Sequence, residues 1–283
     1  MTKVGIIHPG NMGVSVAASA KDGGHDVCWA SEGRSQQTRQ RAEGVHLRDA
    51  GTLAALCMTC EVLLSVCPPH AADEVAEQVL AHGFEGLYLD ANAISPQRVV
   101  RMASKMSEAG VAFIDGGIIG GPAWEPGQTW LYLSGERADE VAQLLEGGPL
   151  ETAVIGPAPG KASALKMCYA AWTKGSTALR CAIVASASQM GVWEELAAQW
   201  ERDWPSFPEE TVGRVRRVTA KAWRFAGEME EISATFEDAG LPGGFHEAAA
   251  QVYRRLAKFK GASETPFLEE VLLALIATQD DGP

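Results

Sequence analysis

The stretch Val4-Gly5-Ile6-Ile7-His8-Pro9-Gly10-Asn11-Met12-Gly13 decides the fold of this chain. Its β-branched start predicts a buried strand, and the small residues after Met12 predict a helix, with a glycine-bearing turn between them. In such a unit the backbone N–H groups of the turn and the positive end of the helix can hold a pyrophosphate. His8 stands where the fingerprint G-x-G-x-x-G has its first glycine, so an ordinary tight turn is the alternative.

Strand-like runs and amphipathic segments alternate through the first half of the chain. This alternation predicts βαβ units and a mainly parallel sheet, which is a Rossmann-type architecture. The predicted strands are Val4–His8, Asp26–Ala30, Val62–Val66, Leu87–Asp90, Val111–Asp115 and Thr129–Ser134, and the predicted helices are Met12–Gly23, Gln36–Glu43, Ala71–Ala81 and Pro96–Ala109.

The second half of the chain has a helical pattern throughout. Ala162–Met190 is predicted as one long helix, apolar nearly all round, which favours burial between domains or subunits. Ser206–Glu209 fits a capping box, Gly240 fits a helix-ending glycine, and Thr265-Pro266 predicts the start of a last helix. The predicted organisation is an α/β Rossmann-type domain over residues 1–158 and an all-α domain over residues 159–283. The all-α domain includes the long interdomain helix and is expected to serve dimerisation and substrate binding.

Composition limits the classes of function. The 283 residues are 46% hydrophobic and 21% charged, as in ordinary globular proteins, and 24 Lys and Arg against 36 Asp and Glu give a net charge of −12. This acidity argues against a nucleic-acid partner, and the absence of a long apolar run argues against a membrane span. The scattered cysteines predict a reducing, cytoplasmic location. Cys57 and Cys60 have C-x-x-C spacing without a second pair, so we expect two buried thiols and no metal.

Cofactor choice depends on the residues that follow the second predicted strand. An acidic side chain there would hold the ribose hydroxyls of NAD, whereas basic and hydroxyl groups would accept the 2′-phosphate of NADP. Ser31, Arg34 and Ser35 favour NADP(H). Glu32 is the contrary signal, because a shift of one residue would make it a ribose acceptor, and NAD(H) is the alternative.

Three segments in order make the chain resemble the β-hydroxyacid dehydrogenase superfamily. They are Pro9–Gly13, which matches the opening G-x-G-x-M-G pattern except at His8, Asp115–Gly121, which is similar to D-A-P-V-S-G-G, and the turn Gly156–Gly160 followed by Lys166. The superfamily includes 3-hydroxyisobutyrate dehydrogenase, 6-phosphogluconate dehydrogenase and the imine reductases. The resemblance covers roughly residues 3–190 and implies NAD(P)-dependent hydride transfer in a homodimer.

The resemblance also implies the site residues. Lys166 would be the catalytic group acting on the substrate oxygen, and its position in an apolar helix fits a proton donor or acceptor, with a lysine reaching out to solvent as the alternative. The cofactor would contact His8, Pro9, Gly10, Asn11, Met12, Ser31, Arg34, Ser35, Cys67, Pro68 and Asn92, and the substrate would contact Ile119, Gly120, Gly121, Trp124, Tyr169 and Thr173.

Two departures from the family pattern change the expected substrate. The family's carboxylate-binding serine falls on Ile119, and the asparagines that follow its lysine fall on Tyr169 and Ala170. We therefore predict a small-molecule carbonyl or alcohol substrate that is less polar than a simple 3-hydroxy acid. An imine or enamine reductase and a non-catalytic NADP(H)-binding regulator are the alternatives.

The sequence leaves open the roles of two further features, a histidine and a basic helix face. His246 could begin a helix that lines the pocket. Arg214, Arg217, Lys221 and Arg224 share one predicted helix face, which is typical of a solvated or subunit-pairing surface, with an anionic substrate contact as the alternative.

Overall fold

A sheet of eight strands organises the N-terminal part of the protein in the computed structural model, which describes residues 1–277. Within these residues, the strand order is β3-β2-β1-β4-β5-β6-β7-β8, and every neighbouring pair is parallel except β6–β7. The strands are β1 (Lys3–Ile6), β2 (Asp26–Trp29), β3 (Arg48–Asp49), β4 (Val62–Ser65), β5 (Leu87–Asp90), β6 (Ala112–Ile119), β7 (Trp130–Ser134) and β8 (Glu151–Val154).

Helices cover both faces of this sheet, so the central strands are buried on both sides. Successive residues alternate between the two layers: Leu64 and Leu89 pack in one hydrophobic cluster, whereas Leu63 and Tyr88 pack in the other. The helices of this part are α1 (Asn11–Asp22), α2 (Gln36–Gly44), α3 (Leu53–Thr59), α4 (Ala72–Ala81), α5 (Pro96–Glu108), α6 (Ala138–Leu144) and α7 (Lys161–Ala170).

The predicted strands and helices of the first half are present, with differences at their ends. The largest difference is in β6, predicted as Val111–Asp115, which continues through two glycines to Ile119. Glycine has low strand propensity, so the pattern predicted an early end. The strands β3 and β8 and the helices α3 and α6 were not predicted, because they are too short to show a clear periodicity.

The chain divides into two compact units, an N-terminal unit, Met1–Met167, and a C-terminal unit that begins at Cys168. The described part of the C-terminal unit is helical, and this confirms the predicted fold class. The functional division at residue 158 stays a prediction, and the last six residues of the chain, 278–283, lie outside the described part. The helices are α8 (Ser176–Gln189), α9 (Trp193–Asp203), α10 (Phe207–Asp238), α11 (Gly244–Arg255) and α12 (Leu268–Ile276).

The long helix predicted over Ala162–Met190 is present over residues 161–189, but it is not α-helical throughout. A π-helical turn, Ala171–Gly175, lies between its two α-helical parts, α7 and α8. The hydroxyl of Tyr253 in α11 donates a 2.7 Å hydrogen bond to the carbonyl oxygen of Lys174 inside this turn. A side chain that takes a carbonyl group in this way is a common partner of a local break in the helical hydrogen-bond ladder.

The prediction of a capping box at Ser206 is wrong. Ser206 has a left-handed backbone with φ 68°, its side chain caps no backbone group, and its own N–H donates to the Glu201 carboxylate at 3.0 Å. The last helix begins at Leu268 rather than at Pro266, since Glu270 accepts a 2.8 Å hydrogen bond from the N–H of Phe267 and fixes the helix start there. Gly240 does follow the end of α10 with φ 78°, as predicted.

Candidate cofactor site and catalytic lysine

The loop between β1 and α1 lies where the strand order of the sheet reverses. Strands β2 and β3 lie on one side of β1 in the sheet, and strands β4 to β8 lie on its other side. In open α/β sheets the crevice at the carboxyl ends of the strands at this point is the usual ligand site. A Cβ atom on Gly13 would lie 2.2 Å from the carbonyl oxygen of His8, so glycine is required for the close turn. The loop bends sharply, with the N–H of Gly10 donating to the same oxygen at 2.8 Å.

Two buried polar atoms near this loop indicate a site for an anion. His8 Nδ1 in the loop and Arg34 Nε in the segment after β2 are among the buried side-chain atoms of the described residues that have no hydrogen-bond partner. Burial, and then the positive charge of Arg34, lower the pKa of His8 to about 4, so the imidazole is neutral near pH 7. Burial also lowers the pKa of Arg34. Buried polar groups need partners, and phosphate groups on the N-terminal end of α1 would supply them. These residues therefore fit a dinucleotide.

The segment after β2 carries the residues predicted to contact the adenosine ribose and its phosphate. Ser31 is buried, and its carbonyl oxygen accepts a 2.7 Å hydrogen bond from Arg39. Ser35 caps α2 by accepting from the N–H of Thr38, whereas Glu32 is exposed. Sequence reasoning missed Arg39, although its place in the first turn of the helix after the predicted phosphate segment was a usable signal.

Asn92 connects the loops that follow β4 and β5. Its Oδ1 accepts from the N–H of Cys67 at 2.5 Å, and its Nδ2 donates to Asp90 at 2.7 Å and to Ser65 at 3.2 Å. Burial raises the pKa of Asp90 to about 7, and the hydrogen bonds from Asn92 oppose that rise. The side chain predicted to contact the cofactor thus also sets the position of the Cys67-Pro68 loop, and sequence reasoning missed Ser65 and Asp90 as its partners.

The last residue of β6 and the segment after it carry four of the residues predicted to contact substrate. Gly120 has φ 128°, and a Cβ there would lie 2.6 Å from the carbonyl oxygen of Gln128. The hydroxyl of Thr129 donates to the carbonyl oxygen of Gly121 at 2.8 Å, which closes the base of the loop. Ile119 is half-buried and Trp124 is half-exposed, so the loop presents apolar groups.

Lys166 lies on α7 with its ammonium group at the carboxyl end of β6. Its Nζ donates a 2.5 Å hydrogen bond to the carbonyl oxygen of Ile118, and the side chain is half-buried. Since β1, β4, β5 and β6 are parallel neighbours across the sheet, this is the same edge as the glycine loop, Cys67 and Asn92. Tyr169 and Thr173 belong to the C-terminal unit, where Thr173 donates to the carbonyl oxygen of Tyr169 at 3.1 Å.

Comparison with known families identifies this arrangement. Residues 3–145 match the family described as the NAD binding domain of 6-phosphogluconate dehydrogenase. The chain belongs to this family. It is an NAD(P)-dependent dehydrogenase or reductase of the 3-hydroxyacid dehydrogenase type. Residues 187–256 match a second family, a domain of unknown function (DUF1932).

Similar proteins agree with this assignment of the dehydrogenase fold. An uncharacterized 28.5 kDa protein from Methanothermus fervidus is 27% identical over 196 residues, 69% of this chain and 74% of that protein. A solved protein of unknown function, described as similar to 3-hydroxyacid dehydrogenases, is 27% identical with TM-score 0.69, covering 97% of this chain and 100% of its own. Two further solved structures share the fold. The Mycobacterium tuberculosis 3-hydroxyisobutyrate dehydrogenase is 16% identical with TM-score 0.69, covering 98% of this chain and 100% of its own. A reductive aminase from Aspergillus terreus is 19% identical with TM-score 0.57, covering 96% of this chain and 98% of its own.

The two cysteines with C-x-x-C spacing and His246 of this dehydrogenase are buried side chains. Cys57 and Cys60 are buried thiols, as predicted, and burial raises their pKa to about 11 and about 12. His246 is buried in α11 between the rings of Phe236 and Phe245, at 4.6 and 5.1 Å, and burial lowers its pKa.

The basic stripe lies on the surface of α10, where Arg214 is half-buried and Arg217, Lys221 and Arg224 are exposed. Over residues 1–277, no helix is both long enough and apolar enough to cross a bilayer.

Proposed function

We propose that this protein transfers hydride between NADP(H) and a carbonyl or alcohol substrate, with Lys166 as general acid and base. The observation that supports this most directly is the place of the Lys166 ammonium group, bonded to the carbonyl oxygen of Ile118 at the sheet edge where the glycine loop begins its turn. A proton donor at the cofactor edge of the sheet is what carbonyl reduction requires.

The chain's own residues supply binding and proton transfer. The bound nicotinamide would supply the hydride. In the direction of reduction, the Lys166 ammonium donates a proton to the substrate oxygen as negative charge develops there. In the direction of oxidation, the neutral amine takes the hydroxyl proton. The carbonyl oxygen of Ile118 orients Nζ by accepting from one of the three donors that an ammonium group carries.

Preference for NADP(H) is supported by the residues after β2. Ser31 is buried at the position where an acidic residue would favour NAD, and Arg34 places a guanidinium group beside His8. Ser35 and the N-terminus of α2 add donors for a phosphate. Glu32 is exposed, and its carboxylate is the group that would favour NAD(H) instead.

The substrate proposal follows from the groups that line the loop after β6. Ile119 and Trp124 offer apolar surface and no carboxylate-binding side chain, which favours a ketone or aldehyde with apolar substituents. Imine or enamine reduction is the second candidate. Ile119 and Ala170, in place of polar anchors, favour it, and the structurally similar Aspergillus terreus reductive aminase was solved with NADPH, cyclohexanone and allyl amine.

The test is NADPH oxidation against matched panels of ketones, aldehyde acids and cyclic imines. We expect turnover with apolar carbonyl compounds, and loss of about a hundredfold or more in kcat for Lys166→Ala. Lys161→Ala is the matched control, since Lys161 is the exposed first residue of the same helix. Full activity of Lys166→Ala contradicts the assigned role. Turnover of imines alone selects the second candidate, and tight NADPH binding without any turnover indicates a regulator.

We also propose a homodimer located in the cytoplasm. Apolar side chains of the C-terminal unit are exposed in the single chain, among them Trp172 (74%) and Leu179 (45%), and α9 has no buried residue. A second copy would cover such a surface. The six cysteines are free thiols, which favours a reducing compartment.

A further inference from the structure

Asp115, in the middle of β6, has an unusually complete set of hydrogen-bond donors. It is fully buried between β5 and β7, beside Asp90 and opposite Ser134. Its Oδ2 accepts from Ser134 Oγ at 3.0 Å, from the N–H of Gly160 at 2.9 Å and from the N–H of Ser163 at 3.0 Å, and its Oδ1 accepts from Ser163 Oγ at 2.6 Å. Burial raises the pKa of Asp115 above its ordinary value, and the four donors oppose that rise because they favour the ionised carboxyl group.

These donors belong mainly to the start of the helix that carries Lys166. The N–H groups at a helix start have no partner within the helix. Here, those of Gly160 and Ser163 go to Asp115, and that of Ala162 goes to Ser134 Oγ at 3.1 Å. The carboxylate also faces the positive end of the helix dipole. Asp115 and Ser134 therefore cap α7 from the sheet, in place of a capping residue in the helix itself.

The same strand contacts α7 twice more in the direction of the lysine. A Cβ atom on Gly117 would lie 2.6 Å from the carbonyl oxygen of Ala162 and 3.2 Å from Cβ of Lys166, so the helix rests directly on the strand. One residue further along, the carbonyl oxygen of Ile118 accepts from Lys166 Nζ. The position of α7 at Asp115 thus determines where the ammonium group lies relative to the edge of the sheet.

We propose that Asp115 is a positioning residue for Lys166: its carboxylate fixes the N-terminus of α7 on β6 and thereby sets the location of the ammonium group. The proposal rests on the proposed catalytic role of Lys166. Asp115 is fully buried, and its described hydrogen-bond partners are all groups of the N-terminal unit, so we assign its effect on the reaction to the position of α7.

Two substitutions separate positioning from the presence of charge. Asp115→Asn introduces an isosteric side chain: its amide oxygen can keep the three bonds of Oδ2, and its amide N–H can donate to Ser163 Oγ, which is able to accept. Asp115→Ala removes every one of these bonds. We expect Asp115→Ala to lower kcat by about tenfold to a hundredfold, because a displacement of about 1 Å of a reacting group has this effect. The Kd for NADPH should stay within about twofold, and Asp115→Asn should keep kcat within about threefold of the original protein.

A second measurement follows the lysine without turnover. In protein labelled with [ε-13C]lysine, the Lys166 resonance is assigned by its loss in Lys166→Arg, and it should move in Asp115→Ala and keep its position in Asp115→Asn. Asp90→Ala is the matched control, since it removes the neighbouring buried carboxyl group, which holds Asn92 instead. It should weaken NADPH binding and leave the Lys166 resonance in place.

The outcomes are distinguishable from failure of the proposed function. If Lys166→Ala keeps full activity, the catalytic role is wrong, and the resonance shift still tests positioning. If Lys166→Ala is inactive but Asp115→Ala keeps both kcat and the Lys166 resonance, the positioning proposal alone is overturned. An equal resonance shift in Asp90→Ala would also overturn it. Should Asp115→Ala fail to fold, Ser163→Ala removes only the 2.6 Å bond to Oδ1 and should give a smaller change in the same direction.

Discussion

At the scale of single residues, the glycine loop after β1 depends on Gly13 for its shape and on His8 for its chemistry. The family pattern has glycine at both positions, and this chain keeps only the one that the backbone requires. The carbonyl oxygen of His8 occupies the space that a side chain at position 13 would need, whereas its imidazole faces Arg34 in the site. A side chain at position 8 is therefore compatible with the turn.

Gly13→Ala tests the backbone requirement. The added methyl group would lie 2.2 Å from a backbone oxygen that cannot rotate away, so we expect the free energy of unfolding to fall by about 1–3 kcal/mol and NADPH binding to weaken. Urea unfolding and fluorescence titration measure both. Gly10→Ala is the control for stability, because a Cβ at Gly10 meets no atom within 4 Å and its φ of −68° suits any residue. Equal stability of the two variants would contradict the argument.

His8 gives the protein an acid-dependent stability. Its pKa is about 4 when folded, below the ordinary histidine value of 6.5, so below pH 6.5 the unfolded state binds a proton that the folded state does not. Stability is therefore present above pH 6.5 and is lost as the pH falls toward 4. Between pH 7 and pH 5, the free energy of unfolding of the original protein should fall by about 1 kcal/mol more than that of His8→Asn, after discounting for solvent screening. Urea unfolding at both pH values measures this difference. Parallel pH profiles of the two proteins would rule this out.

At the scale of elements, the sequence predicted regular strands and helices well and interruptions poorly. The largely apolar run Leu87–Asp90 was sufficient to predict β5 with its exact ends, because the strand is short and both of its faces are buried. The π turn was not predictable, since the group that stabilises it, the hydroxyl of Tyr253, is 79 residues away in sequence from Lys174. The same applies to Asp115: its place in a motif was visible, whereas its bonds to the start of α7 depend on the folded sheet.

Tyr253→Phe tests that interruption. Loss of the hydroxyl leaves the carbonyl oxygen of the half-buried Lys174 without this donor, so we expect the free energy of unfolding to fall by about 1–2 kcal/mol. Chemical denaturation measures the change. Tyr169→Phe is the matched control, because the side chain of Tyr169 is 47% exposed and should have little effect on stability. A Tyr253→Phe protein as stable as the original would show that the turn does not need this bond.

At the scale of the whole molecule, composition and the order of the motifs predicted the class of protein. The departures from the family pattern concern the substrate. The net charge of −12 leaves room for a local site around His8 and Arg34, because local donors outweigh a distributed surface charge at contact distance. The exposed apolar residues of the C-terminal unit support the proposed second copy, but exposure in one chain does not determine the geometry of a subunit contact.

The proposed homodimer makes a prediction at this scale. Leu179 is an exposed apolar residue of α8, so Leu179→Glu would place a charge in the proposed subunit contact and shift the protein toward monomer. Light scattering coupled to size-exclusion chromatography measures the mass directly. Ala220→Glu adds the same charge at an exposed position of α10 and should leave the mass of the original protein. A monomeric original protein would contradict the proposal.

The antiparallel step between β6 and β7 has a consequence for protein engineering. All other strands joined in sequence need a crossover helix, but these two are joined by a surface loop, whose ends are held by Ser15 at Ala123 and by Thr129 at Gly121. The exposed tip at residues 124–128 lies outside these two tethers and has one further contact, a 3.2 Å hydrogen bond from the N–H of Gly127 to the exposed end of the Glu151 side chain. Because long surface insertions cost little loop-closure entropy, we expect this tip to accept changes of length and sequence while the sheet register stays as it is. If Trp124 contacts substrate as proposed, such changes should alter the substrate range.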